Sequence, residues 1–313
     1  MNTNEKAISE HIFAVPSTSS SSSTTNDITL TTTITSITTL TTPFHDLSNL
    51  TILPQILREG ILFTGVGAAL LLQAAYPGIQ SAFPYDSHHT LTHNLTSTLQ
   101  TTLQHIAVLV FGTPQERPIL LTRLHAGPGN SHRQITPPQT RLWIAATIYA
   151  TATDLYERTY GCTDHRSAER AYEEFTVVLT ALGLVEAALW PPSRREFWEY
   201  WDGQVARLAV TAEAHRVAKE VLAAGDQSMV VRGMFPKGWA KVLRPVVRAL
   251  TIELLPLAVR EAYGLRSSGA TRGWYRGVMA GFGRGVYPAM PGWVRQYPLR
   301  VCLGRWREGV DYR

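Results

Sequence analysis

From Pro54 onwards, apolar residues recur at intervals of three and four positions, and this spacing constrains the fold more than any other feature of the sequence. An α-helix places residues at such intervals on one face, whereas a β-strand places alternate residues there. The spacing predicts helices over 54–75, 92–111, 138–160, 166–183, 194–224, 236–263 and 268–281. Because no alternating stretch of useful length occurs, we predict an all-α fold: a single large globular domain with globin-like, orthogonal helix packing.

Proline- and glycine-rich breaks separate the predicted helices. They read GTPQERP, AGPGN, WPPS and FPKG. In the third break, two prolines stop one helix, and Ser193 is placed to cap the next. Glu196 follows three residues later, the spacing of a capping box. The breaks therefore support the helix boundaries that the periodicity predicts.

The first part of the chain has a different composition. From about Ser17 to Thr42 it consists almost entirely of serine and threonine, with too little apolar volume to form a core. We predict that residues 1–48 form a disordered tail, and no apolar stretch in it follows a basic one as in a secretory signal. Cys162 and Cys302 form neither a disulfide framework nor a metal motif, so we expect an intracellular, reducing compartment.

Positive charge is concentrated after residue 231, in a chain with 29 basic and 24 acidic residues. The arginines lie among Gly, Trp and Pro rather than in one run, which favours a solvated basic face over a nucleic-acid site. We expect no nucleic-acid partner. We expect a catalytic domain over 49–270 and a basic aromatic extension over 271–313 packed on it, with a possible peripheral contact to a membrane surface.

The segment 58–79, REGILFTGVGAALLLQAAYPGI, allows two interpretations. Its apolar part is long enough to span a bilayer. It also contains Gly65, Gly67 and Gln73, and small residues on a helix permit close approach by a partner helix or a flat ligand. On composition alone, a membrane span and a buried helix both stay open.

Six motifs, this segment included, bear on the choice through their order along the chain. They are REGILFTGVGAALLLQAAYPGI, TLQTTLQHIAVLVFGT, LTRLHAGPG, LWIAATIYATATDLYE, AERAYEEFTVVLTALGL and ELLPLAVREAYGL. In this order, over residues 58–265, the chain resembles the superfamily of fungal ER-bound oxygenases of the mycophenolic acid type and bacterial latex-clearing rubber oxygenases. The resemblance implies an all-helical domain with b-type haem that uses dioxygen on isoprenoid chains, and it favours a buried opening helix.

The resemblance also implies roles for individual residues. His125, in LTRLHAGPG, would be the axial ligand of the haem iron. Thr102 and Thr98 would face the reaction pocket, although the family has an arginine where this chain has Thr98. The residues that would contact the haem are Gly65, Gly67, Gln73 and His88.

Two functions follow from these observations. The first is a haem b dependent oxygenase that oxidises or cleaves an apolar isoprenoid or polyketide precursor in fungal secondary metabolism, in the cytoplasm or at the ER membrane. The second is a haem-free binding or cyclase-like protein on the same scaffold. Thr98 favours the second, because a guanidinium can pair with a haem propionate and a threonine cannot. The oligomeric state stays open.

Glu173 and Glu174, together with Glu157 or Asp154, are another candidate set of paired carboxylates for acid and base catalysis. All of them lie in segments predicted to be amphipathic helices, where such carboxylates usually face solvent. The sequence therefore favours a surface role for them.

Overall fold

A computed structural model describes residues 47–83, 90–126, 136–223, 239–265 and 269–311. The tail predicted over 1–48 lies almost wholly outside these ranges. Within them the chain contains helices and no strand, and all of them belong to one compact unit. The prediction of a single all-α domain is therefore confirmed.

The helices are numbered here in chain order. They are α1 (Leu53–Leu57), α2 (Val66–Ala74), α3 (Ile79–Ala82), α4 (Leu91–Phe111), α5 (Glu116–Ala126), α6 (Pro138–Tyr160), α7 (His165–Ala181), α8 (Arg194–Val205), α9 (Ala212–Ala223), α10 (Trp239–Glu253), α11 (Leu257–Ala262), α12 (Gly269–Val278), α13 (Tyr287–Ala289), α14 (Gly292–Arg295) and α15 (Tyr297–Asp311). A 3₁₀-helix, Gly60–Gly65, leads into α2, and a π-helix, Met279–Val286, continues α12.

Three predicted helices are divided in the structure. The segment predicted over 54–75 forms α1, the 3₁₀-helix and α2. The segment predicted over 194–224 forms α8 and α9, and in the gap between them the Ala209 N–H donates to the Ala75 carbonyl. The segment predicted over 236–263 forms α10 and α11. They are separated at Pro256, because proline lacks the N–H that a continuous helix requires. Ser193 caps α8 by accepting from the Glu196 N–H, as predicted.

Helix α2 lies at the centre of the core. Every residue from Val66 to Ala74 is buried. Around it pack α4, α6, α9 and α10. The opening segment is thus a helix surrounded by protein. No helix in the described part of the chain is both long and apolar enough to cross a membrane.

Glycine allows the neighbouring helices to approach α2 closely. A Cβ atom on Gly67 would lie 2.3 Å from the Thr251 Oγ1 of α10. On Gly65 it would lie 3.3 Å from Leu155 of α6 and 3.5 Å from Leu254. The first distance is far below van der Waals contact, so the packing of α10 on α2 requires glycine at position 67.

Side chains from outside α2 donate to carbonyls near its C-terminal end. The Tyr263 hydroxyl donates to the Leu71 carbonyl at 2.7 Å, and the Trp143 Nε1 donates to the Leu72 carbonyl at 3.1 Å. The Leu71 carbonyl also accepts from the Ala75 N–H, whereas the last carbonyls of a helix otherwise lack partners within it, and burying them unpaired is costly. The two side chains therefore tie the end of a short, fully buried helix to its neighbours.

The segment after residue 271 packs on the helices before it. The Arg307 Nε lies 2.7 Å from the Glu116 Oε1, and the Gln104 side chain donates to the Cys302 carbonyl. Helix α15 contacts α4 and the 3₁₀-helix, and the π-helix contacts α6. The boundary at residue 270 stays a prediction.

Replacing Gly67 tests the close packing of α2. We expect Gly67→Ala to lower the free energy of unfolding by about 1–3 kcal/mol, because the methyl group overlaps Thr251. Gly277→Ala is the control: no atom lies within 4 Å of its added Cβ, and alanine favours an exposed helix over glycine by about 1 kcal/mol. Urea unfolding measures both, and equal stability of the two variants would contradict the packing argument.

Candidate functional site

An apolar pocket lies beside α2. It is lined by Leu57, Leu62, Phe63, Val66, Ala69, Leu99, Leu103, Ile106, Ala107, Phe111, Ile148, Thr151, Ala152 and Leu299. Its free space is about 630 Å³ with the open mouth included, and the part that the centre of a water molecule can enter is about 60 Å³. The pocket is therefore narrow, and it suits a slender apolar chain better than a broad, flat molecule.

Thr151 is the one polar residue among the described residues that line the pocket. Its hydroxyl donates to the Thr147 carbonyl at 2.6 Å. Because the proton is used within α6, the oxygen can offer the pocket only a lone pair. The site can thus accept one hydrogen bond from a ligand that is otherwise apolar.

A buried carboxylate stands between two residues of the pocket wall. Glu59 lies between Leu57 and Leu62 in sequence and is 3% exposed. Its Oε2 accepts from the Tyr160 hydroxyl at 2.7 Å and from the Tyr287 hydroxyl at 3.2 Å. Its Oε1 accepts from the Arg295 guanidinium at 2.9 Å. The carboxylate thus connects the pocket wall to α6 and to the segment after residue 271.

Both phenols around Glu59 are held protonated. Burial raises the pKa of Tyr160, and the neighbouring Glu59 carboxylate raises it further. Burial likewise raises the pKa of Tyr287. The two hydroxyls are therefore donors at neutral pH. Sequence reasoning missed this cluster, although a charged Arg58–Glu59 pair directly before a long apolar segment was a signal for it.

Three of the residues predicted to contact a haem take part in helix packing. Gly65 and Gly67 face α6 and α10, as described above. The Gln73 Nε2 donates to the Thr147 Oγ1 at 2.9 Å, and Gln73 is 1% exposed. Their contact with a cofactor stays a prediction. His88 lies outside the described residues.

The remaining predicted residues lie on α4 and α5. Thr102 is buried and Thr98 is half-buried, one turn apart on α4. Thr98 directly precedes the pocket residue Leu99, and Thr102 directly precedes the pocket residue Leu103. Neither threonine lines the pocket itself. His125 is in the last turn of α5, and its side chain is outside the described part. The roles of these three residues stay predictions.

The described residues do not by themselves complete a haem site. The faces of Gly65 and Gly67 are closed by protein, which leaves no flat slot on that side of α2. No histidine, cysteine, tyrosine or methionine is among the described residues that line the pocket, so it offers no axial ligand from this part of the chain. The described ranges also contain no group of three or more His, Cys, Asp or Glu residues arranged to hold a metal ion.

The candidate acid and base pair separates in the structure. The Glu173 side chain is 65% exposed, whereas that of Glu174 is 3% exposed. Glu174 accepts from the N–H groups of Thr51, Ile52 and Leu53 and from the Thr51 hydroxyl, at 2.7–3.0 Å. The carboxylate therefore binds the free N–H groups at the start of α1. The surface role predicted for Glu174 is wrong, and its role is to hold α1 on α7.

Comparison with known proteins agrees with this architecture. A sequence profile described as "ER-bound oxygenase mpaB/B'/Rubber oxygenase, catalytic domain" matches residues 53–284. The chain belongs to this family. The match extends to residue 284, within the π-helix.

Two mycobacterial relatives share part of this domain. Uncharacterized protein Mb2261 of Mycobacterium bovis and uncharacterized protein Rv2237 of Mycobacterium tuberculosis are each 28% identical over 160 residues. The alignment covers 46% of this chain and 60% of each relative. The chain therefore matches less than two thirds of the length of these relatives. No solved structure matches it significantly.

The capping role of Glu174 gives a pH dependence. Burial alone would raise the pKa of this carboxyl, but the N–H groups and the hydroxyl of residues 51–53 together lower it below the ordinary value of 4.5. The stability that the carboxylate contributes is therefore present above pH 4.5 and is lost as the pH falls through the lowered pKa. We expect Glu174→Gln to destabilise the protein at pH 7 and the difference from the parent to shrink below pH 4.5.

Urea unfolding from pH 7 to pH 3 measures this difference. Glu173→Gln is the matched control, because the same change on the exposed neighbour leaves stability nearly unaltered at every pH. A Glu174→Gln difference that is constant with pH would show that the charge of the carboxylate does not stabilise α1.

Proposed function

We propose that the protein is an oxygenase that binds an apolar substrate in the pocket beside α2 and uses dioxygen to oxidise or cleave it. The family supplies the reaction class, since its matched region is an oxygenase catalytic domain. The observation that carries the substrate class is the pocket wall, which is apolar apart from the Thr151 hydroxyl. An isoprenoid or polyketide precursor of fungal secondary metabolism has this character.

The pocket residues would bind and orient the substrate. Leucine, isoleucine and phenylalanine side chains from α4 and α6 exclude water from an apolar chain, which favours binding through the hydrophobic effect. The Thr151 oxygen would accept a hydrogen bond from a hydroxyl group of the substrate and fix its register. The Glu59 cluster would hold the wall rigid from behind through Tyr160, Tyr287 and Arg295.

Haem b, with His125 as axial ligand, is the cofactor that we propose on the strength of the family. A haem would supply the activation of dioxygen that an apolar pocket cannot. Support for His125 comes from its position in the motif LTRLHAGPG and in the last turn of α5. Association with the ER membrane is part of the same proposal.

A second function is favoured by one observation. Thr98 stands where the family resemblance calls for an arginine. A haem-free protein that binds or folds an apolar substrate would need the pocket and no such arginine. It would share the scaffold with the oxygenases and differ in chemistry.

An absorption spectrum separates the two functions. We expect the protein, expressed with a haem supply, to show a Soret band that shifts or disappears in His125→Ala. His165→Ala is the matched control, because His165 is 85% exposed at the start of α7 and should leave the spectrum unchanged. A colourless parent after haem reconstitution would overturn the haem proposal and favour the second function.

The pocket itself is tested by filling it. We expect Ala152→Phe to weaken the binding of farnesol, a small isoprenoid alcohol, by at least about tenfold, because the ring occupies the narrow space between α4 and α6. Ala206→Phe, on an exposed residue after α8, is the control for the added ring. Calorimetric titration measures both, and unchanged affinity in Ala152→Phe would place the ligand elsewhere.

A further inference from the structure

The segment 269–300 carries positive charge without compensation. It contains five arginines and no lysine, aspartate or glutamate. Arg272, Arg276, Arg284 and Arg300 are exposed. Among the residues that the structure describes, no carboxylate lies within ion-pair distance of these four arginines. Their charge is therefore directed to solvent.

One side of this segment is anchored to the domain. Tyr275, Met279, Gly283 and Tyr287, which recur at intervals of four residues, are buried. The Tyr275 hydroxyl accepts from the Arg158 guanidinium at 3.0 Å, and the Tyr287 hydroxyl binds Glu59. The outer side of the segment carries the exposed Arg272 and Arg276, whereas the Arg284 Nε donates to the Arg158 carbonyl of α6 at 3.1 Å.

The outer side also exposes apolar surface. The exposed fraction is 64% for Trp293 and 54% for Val286, both well above the usual value for large apolar residues. Each lies within two residues of a group that binds the Glu59 carboxylate, Tyr287 or Arg295. The two apolar side chains are thus held on a rigid part of the domain, close to the same anchor.

Small residues separate the arginines on this outer side. Gly273, Gly277, Gly281 and Gly285 are exposed, and no other helix lies within 4 Å of a Cβ placed on any of them. Bulky side chains therefore do not hold the arginines away from a flat partner. We call the exposed residues Arg272, Arg276, Val286, Trp293 and Arg300 the basic aromatic face.

We infer that the basic aromatic face docks on an anionic lipid surface. Arginines attract anionic headgroups, and exposed Trp and Val side chains enter the boundary between headgroups and acyl chains. A nucleic acid would satisfy the arginines and leave Trp293 and Val286 in water. A second copy related by twofold symmetry would bring the same arginines together, and like charges repel.

The face lies close to the pocket. Leu299, six residues after Trp293, is part of the pocket wall. A Cβ on Gly60, at the start of the 3₁₀-helix, would lie 2.3 Å from the Arg295 carbonyl, so this part of the segment rests directly on an element that lines the pocket. Docking would bring the pocket near a lipid phase in which apolar molecules dissolve. The inference does not depend on the oxygenase proposal, because its test measures no turnover.

Sedimentation with sucrose-loaded vesicles tests the inference on the full chain. We expect the parent to bind vesicles of phosphatidylcholine with phosphatidylserine, more weakly at high salt, and to bind phosphatidylcholine alone poorly. Arg272→Gln with Arg276→Gln should weaken binding on the order of twentyfold, since each arginine near an anionic surface contributes about fivefold. Trp293→Ala should weaken it on the order of tenfold.

Two matched controls keep the test specific. Arg195→Gln removes an arginine that is 88% exposed on α8, and Leu257→Ala removes an apolar residue that is 63% exposed on α11. Both should bind vesicles as the parent does. Circular dichroism and thermal unfolding of each variant exclude loss of the fold as the cause.

Three results would overturn the inference. A parent that binds neither vesicle, or binds both equally, would show that the face does not recognise anionic lipid. Binding that the arginine and Trp293 variants leave unchanged would assign lipid contact to another part of the chain. A lipid-free dimer that Trp293→Ala dissociates, without vesicle binding, would assign the face to a second copy of the chain.

Discussion

The contact between α2 and α10 at Gly67 is the constraint on which the rest of the fold depends. It places the Thr251 side chain where a Cβ on residue 67 would lie, and it holds a fully buried helix in the middle of the domain. The pocket is built on the same helix, through Val66 and Ala69. A displacement of α2 would therefore alter the packing of the core and the shape of the pocket together.

Two buried carboxylates organise the outer parts of the domain. Glu174 holds α1 against α7, and Glu59 joins the pocket wall to α6 and α14. A buried charge is costly unless it is fully paired, and both glutamates have several donors. Ionic and hydrogen-bonded contacts thus hold α1 and α14 on the domain, while the central helix α2 is held by apolar packing.

Much of the fold could be predicted because apolar periodicity is a local property. Helix α6 begins and ends at the predicted residues, and the cap at Ser193 needs only the four residues around it. Helices α5 and α15 were missed, since both are rich in charged residues and contain a proline. The division between α8 and α9 depends on a bond to Ala75, which is distant in sequence and cannot be seen locally.

The candidate site was less accessible to sequence reasoning for the same reason. Leu57, Leu103 and Leu299 resemble ordinary core residues in the sequence, and only the tertiary structure brings them to one pocket. The family resemblance identified the domain correctly. The roles that it implies for individual residues stay predictions. Glu173 and Glu174 are adjacent and chemically identical, yet one faces water and the other caps a helix, a difference set by the neighbouring chain.

The bonds of Glu59 to Tyr287 and Arg295 join residues 228 and 236 positions apart. During synthesis on the ribosome, the opening helices emerge long before these partners exist. Until residue 295 has left the exit tunnel, the Glu59 carboxylate can find only part of its final set of donors, so it must stay hydrated. The wall of the pocket is consequently completed late, after nearly all of the domain has been translated, and nascent chains released before that point retain an open core.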